Sequence, residues 1–105
     1  MKIGIIINTE DSETGWNAIR FANTVVKAGH NATVFLMGKG VEIGETKGGK
    51  YDSKSQISSF LLQGGKVLAC GTCLKSRGKD SGVCEVSTMT EFMKLVESSD
   101  KIVSF

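Results

Sequence analysis

Lys2-Ile3-Gly4-Ile5-Ile6-Ile7-Asn8 and the later run Ala32-Thr33-Val34-Phe35-Leu36-Met37 decide how this chain folds. The first is a short β-branched run without alternation, as expected for a strand of a parallel sheet covered on both faces. The second is equally apolar. Between them a polar loop, Thr9 to Thr14, feeds a segment in which Trp16, Ile19, Ala22, Val25 and Val26 recur at helical spacing. Gly29 is placed to end that helix. Strand, helix and strand in this order make a βαβ unit, which crosses over right-handedly.

The rest of the chain continues the alternation. Gly38 to Lys50 carries five glycines without a sustained period and reads as a long mobile loop with one short turn around Val41 to Ile43. Ser53 and Gln56 stand at capping-box spacing before a helix with Ile57, Phe60 and Leu61 inward. Gly64-Gly65 stops it, and Lys66 to Cys70 is a third strand. Leu74 to Arg77 forms at most a short helix before Gly78. Val83 to Val86 reads as a fourth strand, with Cys84 packing in or beside it. Thr88 and Glu91 repeat the capping-box spacing and open a helix with Phe92, Leu95 and Val96 inward. Met89 and Met93, at i and i+4, read as core on that helix. Lys101 to Phe105 is the fifth strand.

These elements predict an α/β fold, a flavodoxin-like three-layer sandwich with a five-stranded parallel sheet, as one domain over residues 1–105. The expected strand order is 2-1-3-4-5. That order places the topological switch point between the first and third strands, and ligands bind outside the carboxyl ends of the strands at such a point. The loop after Asn8 and the turn beginning at Cys70 are expected to meet there.

Composition narrows the function. A chain of 105 residues with 40% hydrophobic and 23% charged residues is an ordinary globular one and needs no disulfides or metal to hold it. A net charge of +2, with lysines spread along the chain, advertises no nucleic-acid surface. The N-terminal apolar run is too short for a signal peptide, and acidic residues follow it. No stretch is long enough for a membrane span. The cytoplasm is the default compartment, and there three cysteines point to thiol chemistry or packing rather than a disulfide framework.

The chemistry centres on Cys70-Gly71-Thr72-Cys73. Cys70 ends a buried strand, and Gly71 lets the backbone turn without a Cβ clash. A thiol entering a helical turn faces free backbone N–H groups, which favour thiolate. Thr72 offers a hydrogen bond to sulfur, and Lys75 and Arg77 bring positive charge nearby. Against this stands a plainer reading, Cys70 as a small apolar residue at a strand end. The Cys-x-x-Cys spacing admits three chemistries. A thioredoxin-like redox pair fits poorly with a motif in the last third of a chain that has no proline. A closed zinc site with Cys84 is one ligand short, because the single histidine, His30, stands at the far end of the first helix and reads as a surface turn residue. Sulfur transfer needs one thiol to carry a persulfide and permits a second to resolve it.

Over nearly its whole length the chain resembles the DsrE/DsrF-like sulfur-relay family. The resemblance rests on the first strand, on Gly15-Trp16-Asn17-Ala18-Ile19-Arg20-Phe21-Ala22-Asn23, on Ala32 to Val41, and above all on Leu68-Ala69-Cys70-Gly71-Thr72-Cys73-Leu74-Lys75-Ser76-Arg77-Gly78. In members with an active cysteine, that residue stands eight positions before a glycine, as Cys70 does before Gly78. The resemblance therefore implies a sulfur carrier, or sulfurtransferase, that accepts sulfane sulfur as a persulfide on Cys70. Cys73 is a partner found in some members, and Gly71, Thr72 and Asn8 are supporting residues. It also implies sulfur donor and acceptor proteins, a homotrimer or hexamer, and the loop after the second strand near the site. No cofactor or metal is expected. A Cys70/Cys73 redox switch and a non-catalytic ligand-binding module are the alternatives.

Two other signals are set aside. Gly44 to Lys50 has Walker A spacing, but Tyr51 takes the Ser/Thr position and no strand directly precedes it. Ser12-Glu13-Thr14-Gly15 occupies the place of a flavin phosphate loop, but Glu10, Asp11 and Glu13 would repel a phosphate. Trp16 is expected in the core.

Overall fold

The computed structural model describes residues 1–46 and 48–105. Five strands, β1 (Lys2–Ile7), β2 (Asn31–Leu36), β3 (Lys66–Cys70), β4 (Glu85–Ser87) and β5 (Lys101–Ser104), form one sheet in which every pairing is parallel. The helices are α1 (Ser12–Lys27), α2 (Ser53–Leu62), α3 (Gly71–Ser76) and α4 (Met89–Ser98).

The strand order is β4-β3-β2-β1-β5, which corrects the expected 2-1-3-4-5. Burial explains the difference. On β2, Ala32, Val34 and Leu36 are buried on one face and Phe35 on the other, so an edge position would expose a two-sided apolar strand. The edges fall instead to three-residue β4, where Glu85 and Val86 are exposed, and to β5, where Lys101 and Ile102 are exposed. Right-handed crossovers then fix the layers. The steps from β1 to β2 to β3 run one way and keep α1 and α2 on one face. The return from β4 to β5 reverses direction and places α4 on the other.

The two faces are unequal. Ile5 and Ile7 of β1, with Val34, Leu36, Val67 and Ala69, pack against Ala18, Ile19 and Ala22 of α1 and Ile57 and Phe60 of α2. The opposite face holds a smaller apolar cluster, Ile6, Phe35, Leu68 and Cys70, with Phe92 and Leu95 of α4 laid over it, and beside Cys70 the buried Ser87 donates to the Glu91 carboxylate of α4 at 2.8 Å. No residue of α4 is fully buried. Met89 and Met93, expected in the core, are each 56% exposed, because α4 presents Phe92 and Leu95 to the sheet and lacks a neighbouring helix to cover the rest. Val96, expected inward, is also exposed.

Local chemistry sets the helix starts. Asp11 accepts from the Thr14 N–H at 2.9 Å to cap α1, and Thr88 accepts from the Glu91 N–H at 3.2 Å to cap α4 as its spacing suggested. For α2 the cap is Asp52, accepting from the Ser55 N–H, and not the Ser53/Gln56 pair. Trp16 is half-buried, its ring edge-on to Tyr51 with the Arg20 guanidinium 4.4 Å from its centroid.

The Gly38–Lys50 stretch is not a loop throughout. Gly38–Glu45 winds into a 3₁₀ helix that buries Val41 and Ile43. Gly40 makes this possible, since a Cβ there would stand 1.9 Å from the Ile7 carbonyl oxygen. Of the Walker A-like spacing, Lys47 lies outside the described residues.

Candidate functional site: the paired cysteine turn

Alternation along β3 decides where the first thiol points. Ala69 faces α1 and α2, so Cys70 faces α4, beside Ile6, Phe35 and Leu68, and is 4% exposed. The chain then turns directly into α3. Gly71 is favoured by crowding rather than by an unusual φ: a Cβ there would stand 3.1 Å from the Val86 side chain on β4, which would have to shift slightly. Cys73 stands one helical turn on, half-buried, and packs against the cluster that contains Cys70. Both cysteines are free thiols, and each acts on the acidity of the other.

This arrangement separates the two acidities. Burial, followed by the thiol contact with Cys73, pushes Cys70 above the usual thiol range against the backbone N–H groups of Cys73 and Thr72. The lowering expected at Cys70 falls on Cys73 instead. There the Cys70 thiol contributes most, and the Gly38 N–H and Arg77 guanidinium add to it against partial burial. The Gly38 N–H donates to Cys73 Sγ at 3.1 Å.

The supporting residues rearrange accordingly. Because β2 lies between β1 and β3, Asn8 reaches the site only through Gly38: a Cβ on Gly38 would lie 2.7 Å from Asn8 Oδ1. Gly38 has φ of 54°, in the left-handed region, so glycine is needed both for the turn and for space. Thr72 contributes its backbone N–H toward Cys70. Arg77 Nη1 donates to the Cys73 carbonyl at 3.2 Å, and its Nε lies 3.6 Å from Glu42 Oε1. Lys79 Nζ joins the same Glu42 carboxylate at 3.1 Å, which ties the 3₁₀ segment to the end of the cysteine turn. Sequence reasoning missed Gly38, Arg77 as an anchored group, and Glu42. A glycine two residues after the end of a largely buried strand was the available signal for the first.

Over the thiols lies a groove of 840 Å³, lined by Cys70, Thr72, Cys73, Lys75, Lys79 and Met89 among others. It opens at the carboxyl ends of β3 and β4, whereas the observed strand order puts the switch point between β1 and β5, which corrects the expected meeting of the Asn8 loop and the Cys70 turn at such a point. Cys84 is elsewhere, in the core of the α1–α2 face at 7% exposure, with burial pushing its thiol up to about 11. Among the described residues, no three His, Cys, Asp or Glu side chains gather in a way that would hold a metal.

The sequence model of the DsrE/DsrF-like family matches residues 1–105. The chain belongs to that family. Among its relatives is "Uncharacterized protein MK0008" of Methanopyrus kandleri, 33% identical over 102 residues, covering 89% of this chain and 83% of the relative. "Uncharacterized protein MJ0989" of Methanocaldococcus jannaschii is 30% identical with both chains fully covered. The fold is shared with the ychN protein of E. coli, at a TM-score of 0.83 and 24% identity over the whole of both chains. It is also shared with BT1422 of Bacteroides thetaiotaomicron, a conserved protein of unknown function, at a TM-score of 0.82 and 20% identity, covering 99% and 94% of the two chains.

Proposed function

We propose that this chain is a one-domain sulfur carrier of the cytoplasm, a sulfurtransferase in the sense of a relay, which holds sulfane sulfur as a persulfide on Cys70. The observation that carries this reading is the paired turn itself. Two free thiols stand at the carboxyl edge of a parallel sheet, under an 840 Å³ groove, one of them sheltered and one held toward its thiolate form. Membership in the DsrE/DsrF-like family supports a relay role for that turn. A sheltered persulfide is protected from reduction, and a neighbouring thiolate supplies a route in and out. Protein partners that donate and accept sulfur would dock over the groove, where Lys75 offers a positive charge while Lys79 is held by Glu42 and Glu45. Among the described residues no helix is long and apolar enough to cross a membrane.

Incubation with a persulfide donor should add about 32 Da, one sulfur atom, to a peptide containing Cys70. An unmodified wild-type protein, or the same adduct on Cys70→Ser and Cys73→Ser together, would sink the reading. The proximity of the two thiols also favours a second reading, a reversible Cys70–Cys73 redox switch. Trapping the thiols in glutathione buffers separates the two, because a switch must form that disulfide near the cytosolic poise.

The exposed apolar stripe of Val86, Met89, Met93 and Val96 beside the groove is where a second copy of the chain would pack. A trimer or hexamer assembled through that stripe belongs to the same proposal.

A further inference from the structure

We propose that sulfur enters and leaves at Cys73 and is only stored at Cys70. This rests on the carrier reading and adds an order of events to it. The two thiols are built for different tasks. Cys70 is 4% exposed and walled by Ile6, Phe35 and Leu68, so an incoming donor meets Cys73 first. Cys73 Sγ receives the Gly38 N–H at 3.1 Å. The φ of 54° at Gly38 and the closeness of Asn8 Oδ1 to the place of a Cβ admit only glycine easily at this donor. Arg77 is pinned beside Cys73 by the Cys73 carbonyl at 3.2 Å and by Glu42 at 3.6 Å. A donor N–H and a fixed guanidinium stabilise negative charge on one sulfur of the pair. The direction of the two acidities agrees with that assignment.

Exchange chemistry turns this asymmetry into a sequence of steps. The Cys73 thiolate attacks the outer sulfur of a persulfide donor; a Cys73 S–S bond forms, the donor S–S bond breaks, and the electron pair leaves with the donor thiolate. Cys70 then attacks the protonated outer sulfur on Cys73 and gives its proton to solvent. The sulfur becomes the Cys70 persulfide, and Cys73 departs as thiolate onto the Gly38 N–H. Each step exchanges one S–S bond for another with no net oxidation or reduction. A thiol of low pKa leaves faster, so a persulfide on Cys73 is the labile form. A persulfide on Cys70 has the poorer leaving group and the less solvent, and it persists. Delivery runs the same steps backwards, ending with an acceptor thiolate attacking the Cys73 persulfide.

The test is time-resolved loading with glutathione persulfide under anaerobic conditions, followed by peptide mapping of the wild type, Cys73→Ser and Cys70→Ser. In the wild type the added sulfur should be found on Cys73 before Cys70. Cys73→Ser should load Cys70 at least about tenfold more slowly. Cys70→Ser should still load Cys73 but lose the sulfur faster to cyanide. Arg77→Gln should slow the first step and leave the final distribution unchanged. Cys70 labelled first in the wild type, or loaded at the wild-type rate in Cys73→Ser, overturns the order of events while leaving sulfur carriage intact. No adduct on either cysteine in the wild type overturns carriage itself. The wild-type time course decides the matter even where a variant fails to fold.

Discussion

The two faces of the sheet are made of the same kinds of residue and do opposite things. Toward α1 and α2, large side chains such as Ile19, Ile57 and Phe60 are sealed at 0% exposure, and Cys84 is held there as an inert apolar group. Toward α4, a cluster of four buried apolar residues is covered by one helix that keeps all of its own residues at least partly exposed. Cys70 belongs to this thinner face. On the proposed carrier reading Cys70 needs shelter from bulk solvent together with a path to a partner, and a two-helix cover would supply only the first. The connection from β4 back to β5 produces this difference, because it sends a single helix across the far side.

The sharpest way to break the comparison is to truncate one aromatic on each face. Phe60→Ala on α2 should cost roughly 3–5 kcal/mol, as expected for a fully buried ring that cannot be replaced by collapse. Phe92→Ala on α4 removes a half-exposed ring stacked edge-on to Phe35 at 4.7 Å, and should cost about 1–2 kcal/mol. Urea denaturation of the two variants checks this. Equal losses would mean that α4 is as firmly docked as α2, and the distinction between the faces would fall.

Alkaline pH probes the same contrast through Cys84. Its folded thiol is raised to about 11 by burial, whereas an unfolded thiol ionises near ~8.5. The raised value means that the contribution is complete below the unfolded value and is lost as pH rises through the folded one. The loss should be at most about 2 kcal/mol after allowance for residual solvent access. Denaturation at about pH 8 and about pH 10.5 should show a larger drop for the wild type than for Cys84→Val. Equal drops would show that Cys84 is not sealed as its surroundings suggest.

Much of this was legible in the residues, and what was not has a physical reason. The strands and helices declare themselves through period and caps: Thr88 caps where its sequence implies a helix start, whereas Asp11 caps α1 inside the stretch read as loop, so that helix begins at Ser12. Strand order was misjudged because local pattern says which segments are strands, not which neighbour each chooses. The signal that β2 is interior, apolar on both faces, and that β4 is short and polar enough for an edge was nevertheless present. The cysteine turn was found from spacing, but its polarity was not. The Cys73 environment depends on Gly38, 35 positions away, and becomes visible only once β2 is seen beside β3. The 3₁₀ segment was missed because a period of three among glycines gives a weak pattern.

The smallest expected change in stability carries the most information about assembly. Met93 is 56% exposed on α4, so Met93→Lys removes little packing within the chain and should alter its stability by no more than about 0.5 kcal/mol. If a second copy covers the stripe, the same lysine must lose its hydration inside an apolar contact, and association should fail. Leu62 supplies the control. It is 89% exposed at the end of α2, on the face already closed by its own helices, so Leu62→Lys should leave assembly untouched. Sedimentation velocity on the wild type and both variants checks this. The expected outcome is an oligomer, a monomer for Met93→Lys and an oligomer again for Leu62→Lys. A monomeric wild type, or an unaffected Met93→Lys, would mean that the open face is left open for a different partner, and the groove over Cys70 and Cys73 would then be its natural edge.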